Sequence, residues 1–350
     1  MRCKFARAAL GAMTLGMALS PALAQQDDMA AFFKGRTLNV YVGSPPGGGY
    51  DTHIRLMSRH LGKYLPGNPS IVANNMPGAG GNLAAGYIFT VAPKDGTAFA
   101  LVQPGAITDG LFGSERGKAR HEPQKFNYIG SANREVDMCF VRADAPVKKL
   151  EDAFTTQLIV GSSAEGGSTR DDPTIQNNIL GAHYRVISGY PGTRDMVLAL
   201  EKNEIQGICG FGYSSLRTQK PDWISSGYVR ILSQDNFKGN AEVNAMGVPR
   251  TPDFAKTEEQ RKILELLYAQ QEFGRPFFLP PGVPPARVEA FRRAFDKTVR
   301  DPEYLAEAAK LHIEIDPLPG EEVQELVTKL YAAPAELVEK ARQALVNKNP

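Results

Sequence analysis

Apolar positions along the chain fall into two alternating periods. Residues 38–42 hold Leu38, Val40 and Val42 in a short run that predicts a buried strand. Residues 52–64 follow with Ile54, Met57, Leu61 and Tyr64 at helical spacing. Residues 70–73 predict a second strand, 83–91 a second helix and 98–102 a third strand. Strand, helix, strand, helix, strand is the pattern of a parallel sheet in an α/β fold. The middle repeats it, with strands over 138–141 and 158–160, a helix over 174–180, extended chain over 184–187, a helix over 194–202 and a strand over 205–209.

The last third predicts helices over 258–270, 285–300, 302–311, 321–332 and 334–345. Pro334 separates the final two, because proline starts a helix more readily than it continues one. Val288, Phe291, Phe295 and Val299 form one apolar stripe, which predicts core packing. No solenoid repeat is found. The two α/β units predict two lobes with the chain crossing between them.

The N-terminus changes the expected compartment. Arg2, Lys4 and Arg7 come without an acid, residues 8–19 are apolar, and Ala22-Leu23-Ala24 is a small-x-small cleavage site. That order predicts a secretory signal peptide over residues 1–24 and a periplasmic mature chain. Cys3 lies away from the cleavage point, so no lipid anchor is expected. No later stretch approaches the roughly 20 apolar residues of a spanning helix. Losing three basic residues takes the formal charge from +2 to −1. Such a chain lacks the basic surface that nucleic acid or anionic membrane requires. Cys139 and Cys209 remain, either as a disulfide or as two buried thiols.

Chemistry concentrates in loops between strands and helices. The first runs Gly43-Ser44-Pro45-Pro46-Gly47-Gly48-Gly49-Tyr50-Asp51. Consecutive glycines let a backbone approach a ligand, and a helix start offers unpaired N–H groups to an anion. The loop reads either as a carboxylate site or as a tight turn capped by Asp51. It has neither a P-loop Gly-Lys-Ser/Thr nor a Gly-x-Gly-x-x-Gly register. The second loop, with Gly78, Ala79, Gly80, Gly81 and Asn82, would open on the same sheet edge. Ser162, Ser163, Ser168 and Thr169 in a third loop suit oxygen-rich ligands, and a fourth loop, Tyr190, Pro191, Gly192 and Thr193, precedes a helix and leaves its first N–H groups free. Arg194 is either a ligand contact or a solvated first-turn residue.

Catalytic and metal patterns are missing. His53, His60, His121, His183 and His312 have no metal-ligand spacing, and no Gly-x-Ser-x-Gly elbow occurs. No enzyme activity, cofactor or metal is expected.

These motifs together resemble the tripartite tricarboxylate transporter receptor family, also called Bug proteins. Residues 46–51 and 75–82 carry the resemblance, joined by Ala92-Pro93-Lys94-Asp95-Gly96-Thr97, Ser162-Ser163 with Gly166-Gly167-Ser168, residues 190–193, and Pro280-Pro281-Gly282-Val283-Pro284. The resemblance implies a type II periplasmic-binding-protein fold with a ligand cleft between two lobes. The lobes would comprise residues 25–136 with 236–350, and residues 137–235. It implies capture of a small organic carboxylate by hinge closure and delivery to membrane permease subunits, as a monomer. A sensor subunit, or less readily a periplasmic enzyme, is the competing reading. The carboxylate would sit on Ser44, Pro46, Gly47, Gly48, Gly49 and Asp51 and on Gly78 to Asn82. Ser163, Ser168, Thr169, Tyr190, Gly192 and Thr193 would close over it. One departure stands out: an Asp usual in the family is Gly210 here. Its loss speaks against an amino-acid ligand and leaves Phe211 or Tyr213 to wall the pocket.

Overall fold

The computed structural model describes residues 29–113, 121–163 and 165–346. The expected signal peptide lies outside the described residues. The strands are β1 (Thr37–Val42), β2 (Ser70–Asn75), β3 (Ala98–Leu101), β4 (Asn127–Ser131), β5 (Asp137–Arg142), β6 (Leu158–Ser162), β7 (Tyr184–Ser188), β8 (Gly207–Gly212), β9 (Val229–Gln234), β10 (Pro276–Leu279) and β11 (Leu318–Pro319). They form two sheets, ordered β11-β4-β10-β3-β1-β2 and β7-β6-β8-β5-β9.

Each sheet has the parallel core expected from the sequence. β1 pairs parallel with β2 and β3, and β6 pairs parallel with β7 and β8. Each sheet also takes in one strand reached by crossing from the other lobe, and that strand runs antiparallel. β5 follows the first crossing and lies between β8 and β9. β10 follows the return and lies between β3 and β4. Strands β4, β9, β10 and β11 were not visible in the apolar pattern. The architecture is the two-lobed α/β fold expected.

Two apolar layers cover the first sheet. One joins Val40, Val42, Ile54 and Met57 to Phe291 and Phe295 of the helix Pro285–Thr298. The predicted stripe of that helix is therefore core. The other joins Ala100 and Val102 to Leu264, Leu267 and Val338. Ile175, Ile179 and Leu180 belong to this second layer, although their chain segment lies within the second lobe's unit. The lobes thus share apolar packing beside the cleft. Asn178 Nδ2 adds hydrogen bonds to the carbonyls of Ala344 (2.9 Å) and Val346 (2.8 Å). Val243, in the helix Ala241–Ala245, packs into the second lobe's core with Met138 and Leu216.

The helix expected over 174–180 begins at Ser168 instead and carries Pro173 inside it. Proline more often marks a helix start, which is why the pattern placed the start too late. This earlier start sets Ser168 and Thr169 on the first turn, at the cleft.

Cys139 on β5 and Cys209 on β8 are joined as a disulfide and are fully buried. The bridge closes a loop of 70 residues around most of the second lobe. Replacing both cysteines by alanine should cost roughly 2–4 kcal/mol of stability, read from denaturant melting. An unchanged midpoint, with both thiols titrating in the unreduced wild type, would contradict the cross-link.

Candidate functional site

The helix Gly49–His60 begins where β1 ends, with Gly48 as an N-cap that has no side chain. Its first N–H groups have no partner within the helix. Gly47 turns the loop at φ +84°, a conformation that suits glycine. Asp51 reaches back to accept from Gly47 N (2.9 Å) and from Asn75 Nδ2 (2.8 Å), and it pairs with Arg55. Burial pushes its carboxyl up, but the Arg55, Gly47 and Asn75 hydrogen bonds outweigh this and hold it below its ordinary value. Asp51 therefore braces the loop from behind.

The second loop follows β2. Gly78, Ala79, Gly80 and Gly81 all have positive φ. It touches the first loop where Gly81 Cα lies 2.8 Å from the place a Cβ on Gly43 would occupy. Both loops line a cavity of about 390 Å³ between the lobes. Thr169 Oγ1 accepts from Ser163 N (3.1 Å), and Ser168 Oγ donates to Gly210 O (2.7 Å), which fixes the facing loop of the second lobe. Gln219 Nε2 donates to Thr193 Oγ1 (3.0 Å), leaving that hydroxyl hydrogen for another partner.

Of the candidate residues, Ser44, Pro46, Gly48, Gly49, Gly78, Ala79, Gly80, Ser163, Ser168, Thr169, Tyr190, Gly192 and Thr193 line this cavity. Gly47, Asp51, Gly81 and Asn82 shape the loops and do not line it. Phe211 is elsewhere: it is fully buried in the second lobe's core, edge-on to Phe140 with ring centroids 5.4 Å apart. Tyr213 is also in that core. Gly210 and Gly212 take their place at the cavity wall.

Six further polar side chains line the cavity: Tyr50, Gln103, Asp137, Arg194, Ser215 and Arg275. The pattern had raised only Arg194. Arg275 is 1% exposed. Its Nη2 lies 2.6 Å from Glu135 Oε2 and donates to Ser214 Oγ (2.9 Å) and Ser215 Oγ (3.0 Å). Its guanidinium stacks 4.1 Å from the Tyr50 ring centroid, while Nε is buried without a partner. Burial, and then the Arg275 charge, push His53 down to about 3. His53 is thus neutral, and its Nδ1 donates to Gly49 O at 2.8 Å. That bond braces the start of the first helix.

The lobes meet around the cavity without room to spare. A Cβ on Gly105 would lie 1.9 Å from Gly166 O, and one on Gly49 would lie 2.0 Å from Ser215 Oγ. A Cβ on Gly192 would lie 2.7 Å from Pro45 Cγ. Glycines on both sides allow the cleft to close.

No family model matches the chain. The chain is 25% identical over 324 residues to the UPF0065 protein in the gbd 5' region of Cupriavidus necator, covering 88% of each. Its structure is similar to that of the periplasmic binding protein BugD, at 20% identity and a TM-score of 0.68, covering 88% of this chain and 98% of that one. This is the fold of the Bug-type binding proteins. MatC from Rhodopseudomonas palustris with bound malate is similar in the same way, at 18% identity and a TM-score of 0.66, covering 90% and 100%. The family resemblance read from the loop motifs is borne out.

Glu135 and Arg275 are both nearly unexposed, so neither charge tolerates loss of the other. Glu135→Ala should destabilise the protein by about 3–5 kcal/mol in denaturant melting, and combining it with Arg275→Met should recover much of the loss. A single variant as stable as wild type would show that the pair is not buried in solution.

Proposed function

We propose that this protein is a periplasmic solute-binding receptor that captures a small organic carboxylate between its lobes. The observation that carries the reading is the convergence of two glycine-rich loops, one opening a twelve-residue helix, on an interlobe cavity. Backbone N–H groups at a helix start attract an anion through both hydrogen bonding and the helix dipole. The second lobe adds the hydroxyls of Ser163, Ser168, Thr169 and Thr193. Only the closed arrangement offers both sets at once, so a ligand that uses both favours closure. Proline, Tyr190 and Met196 supply the apolar part of the wall.

The likeness to binding proteins, one of them holding malate, supports the carboxylate class. The closed receptor would then dock on permease subunits of a tripartite tricarboxylate-type transporter. Micromolar affinity, about −8 kcal/mol, would serve that role. Several charge-assisted hydrogen bonds in a desolvated cleft are adequate for it.

Thermal melting of the refolded mature protein with a panel of organic acids, neutral sugars and amines tests the reading. Refolding removes any solute carried through purification. An acid at a hundred times its dissociation constant should add roughly 2.7 kcal/mol of stability, and neutral sugars and amines should add none. Stabilisation by sugars or simple amines, with no response to any acid, would overturn the carboxylate reading.

A further inference from the structure

Asp137 opens β5, lines the cavity and is only 9% exposed. Its main chain is held on both sides. Its N–H donates to Gln271 Oε1 at 3.1 Å, and its carbonyl accepts from Asp235 N at 2.7 Å. Across the sheet it stands opposite Gly212. Neither glycine of that stretch of β8 has space for a side chain. A Cβ on Gly210 would lie 2.0 Å from Ser168 O, and one on Gly212 would lie 2.8 Å from the Glu135 carboxyl. Strand β8 therefore exposes bare backbone here, and the acidic group at this wall comes from its neighbour β5.

We propose that Asp137 selects, among carboxylate ligands, those that also carry an ammonium group, by pairing with that ammonium in the closed cleft. The proposal rests on the carboxylate reading above. The two walls differ chemically, with Arg194 of the second lobe reaching across the cavity to Gly47. The first lobe presents backbone N–H groups to an anion, and the second presents the Asp137 carboxyl with the Ser168 and Thr169 oxygens beside it. The fixed cation next to Asp137 is Arg275, and its closest partner is Glu135 at 2.6 Å. Asp137 is left without a dedicated counter-charge.

A buried carboxyl in that position takes up a proton rather than stay charged. Burial pushes Asp137 well up; Glu135 and Asp235 add to this, while Arg275 and Ser168 oppose it. Asp172 neighbours both Asp235 and Asp137, and Tyr50 faces the same space from the first helix. A ligand ammonium substitutes for the bound proton: the Asp137 O–H bond breaks, the carboxylate pairs with the ammonium, and one proton leaves to solvent. Affinity for such a ligand accordingly rises with pH until Asp137 is already ionised in the free protein, then levels off. A ligand with a second carboxylate would do the opposite. It would accept the Asp137 hydrogen, keep the proton in the complex, and bind more weakly as pH rises.

Titration calorimetry on the mature protein separates these cases. Two matched sets differ only at the carbon beside the carboxylate: aspartate, malate and succinate, and phenylalanine, 3-phenyllactate and 3-phenylpropionate. Within the skeleton that binds, the ammonium member should be tighter than the unsubstituted acid by roughly 10- to 100-fold. Titrations in two buffers of different ionisation enthalpy should show proton release below the level-off pH. Asp137→Asn should abolish the preference of the ammonium member over the unsubstituted acid of its own set, together with the proton release. Should the unsubstituted or hydroxy acid bind as tightly, or affinity fall as pH rises, the proposal fails and the carboxylate reading stands. If Asp137→Asn does not fold, the wild-type pH dependence decides by itself. Acids of neither set binding, in a protein stabilised by no other acid, overturns both.

Discussion

Neither Glu135 nor Arg275 is stable alone where it lies. Glu135 sits in the segment by which the chain first crosses between lobes, and Arg275 in the segment by which it returns. Their contact of 2.6 Å ties the two crossings together with both charges almost wholly out of water. A buried pair of this kind adds little net stability over an apolar replacement, yet loss of one partner is severe. Its value here is positional. Arg275 also reaches Ser214 and Ser215 in the second lobe and stacks on Tyr50 in the first, so one guanidinium touches both lobes at the base of the cleft. The arrangement of the two walls depends on this contact.

Closure uses a different kind of residue. Gly49, Gly105 and Gly192 stand where any side chain would strike the opposite lobe. The glycines read from the sequence as ligand-approach positions thus divide into groups. Some line the cavity, some turn the loop, and some simply let the lobes meet. Beside the cleft, Ile175, Ile179 and Leu180 pack into the first lobe's core, and Asn178 is held by the carbonyls that end the last helix. The lobes are therefore joined through packing as well as through their crossings.

The parallel core of each sheet, the C-terminal helices and the cavity-lining loops were legible because each is a local pattern. Alternating periods marked β1 to β3, and glycine-rich strand-to-helix turns marked the loops. The rest depends on pairing between distant segments. Asp137 and Arg275 each begin or precede a short strand whose position follows from a crossing, and nothing nearby in sequence marks either as a cavity residue. β10 is four residues bounded by prolines and glycine, too short to display a period. Phe211 illustrates the reverse error. It was expected at the pocket because its neighbour, Gly210, departs from the family pattern, but strand alternation turns it into the core. The missing acid at 210 pointed away from an ammonium ligand, while the Asp137 carboxyl, which lines the same wall from the adjacent strand, left no mark in the local sequence.

The central claim is that loop backbone N–H groups hold the ligand's carboxylate. Amide proton and nitrogen shifts measured by NMR, with and without a stabilising acid, test it most directly. The account predicts the largest downfield proton shifts and slowed exchange at Gly48, Gly49 and Tyr50 and at Ala79 and Gly80. Saturable binding that leaves those amides unmoved, with changes confined to the second lobe or to the outer surface, would contradict it.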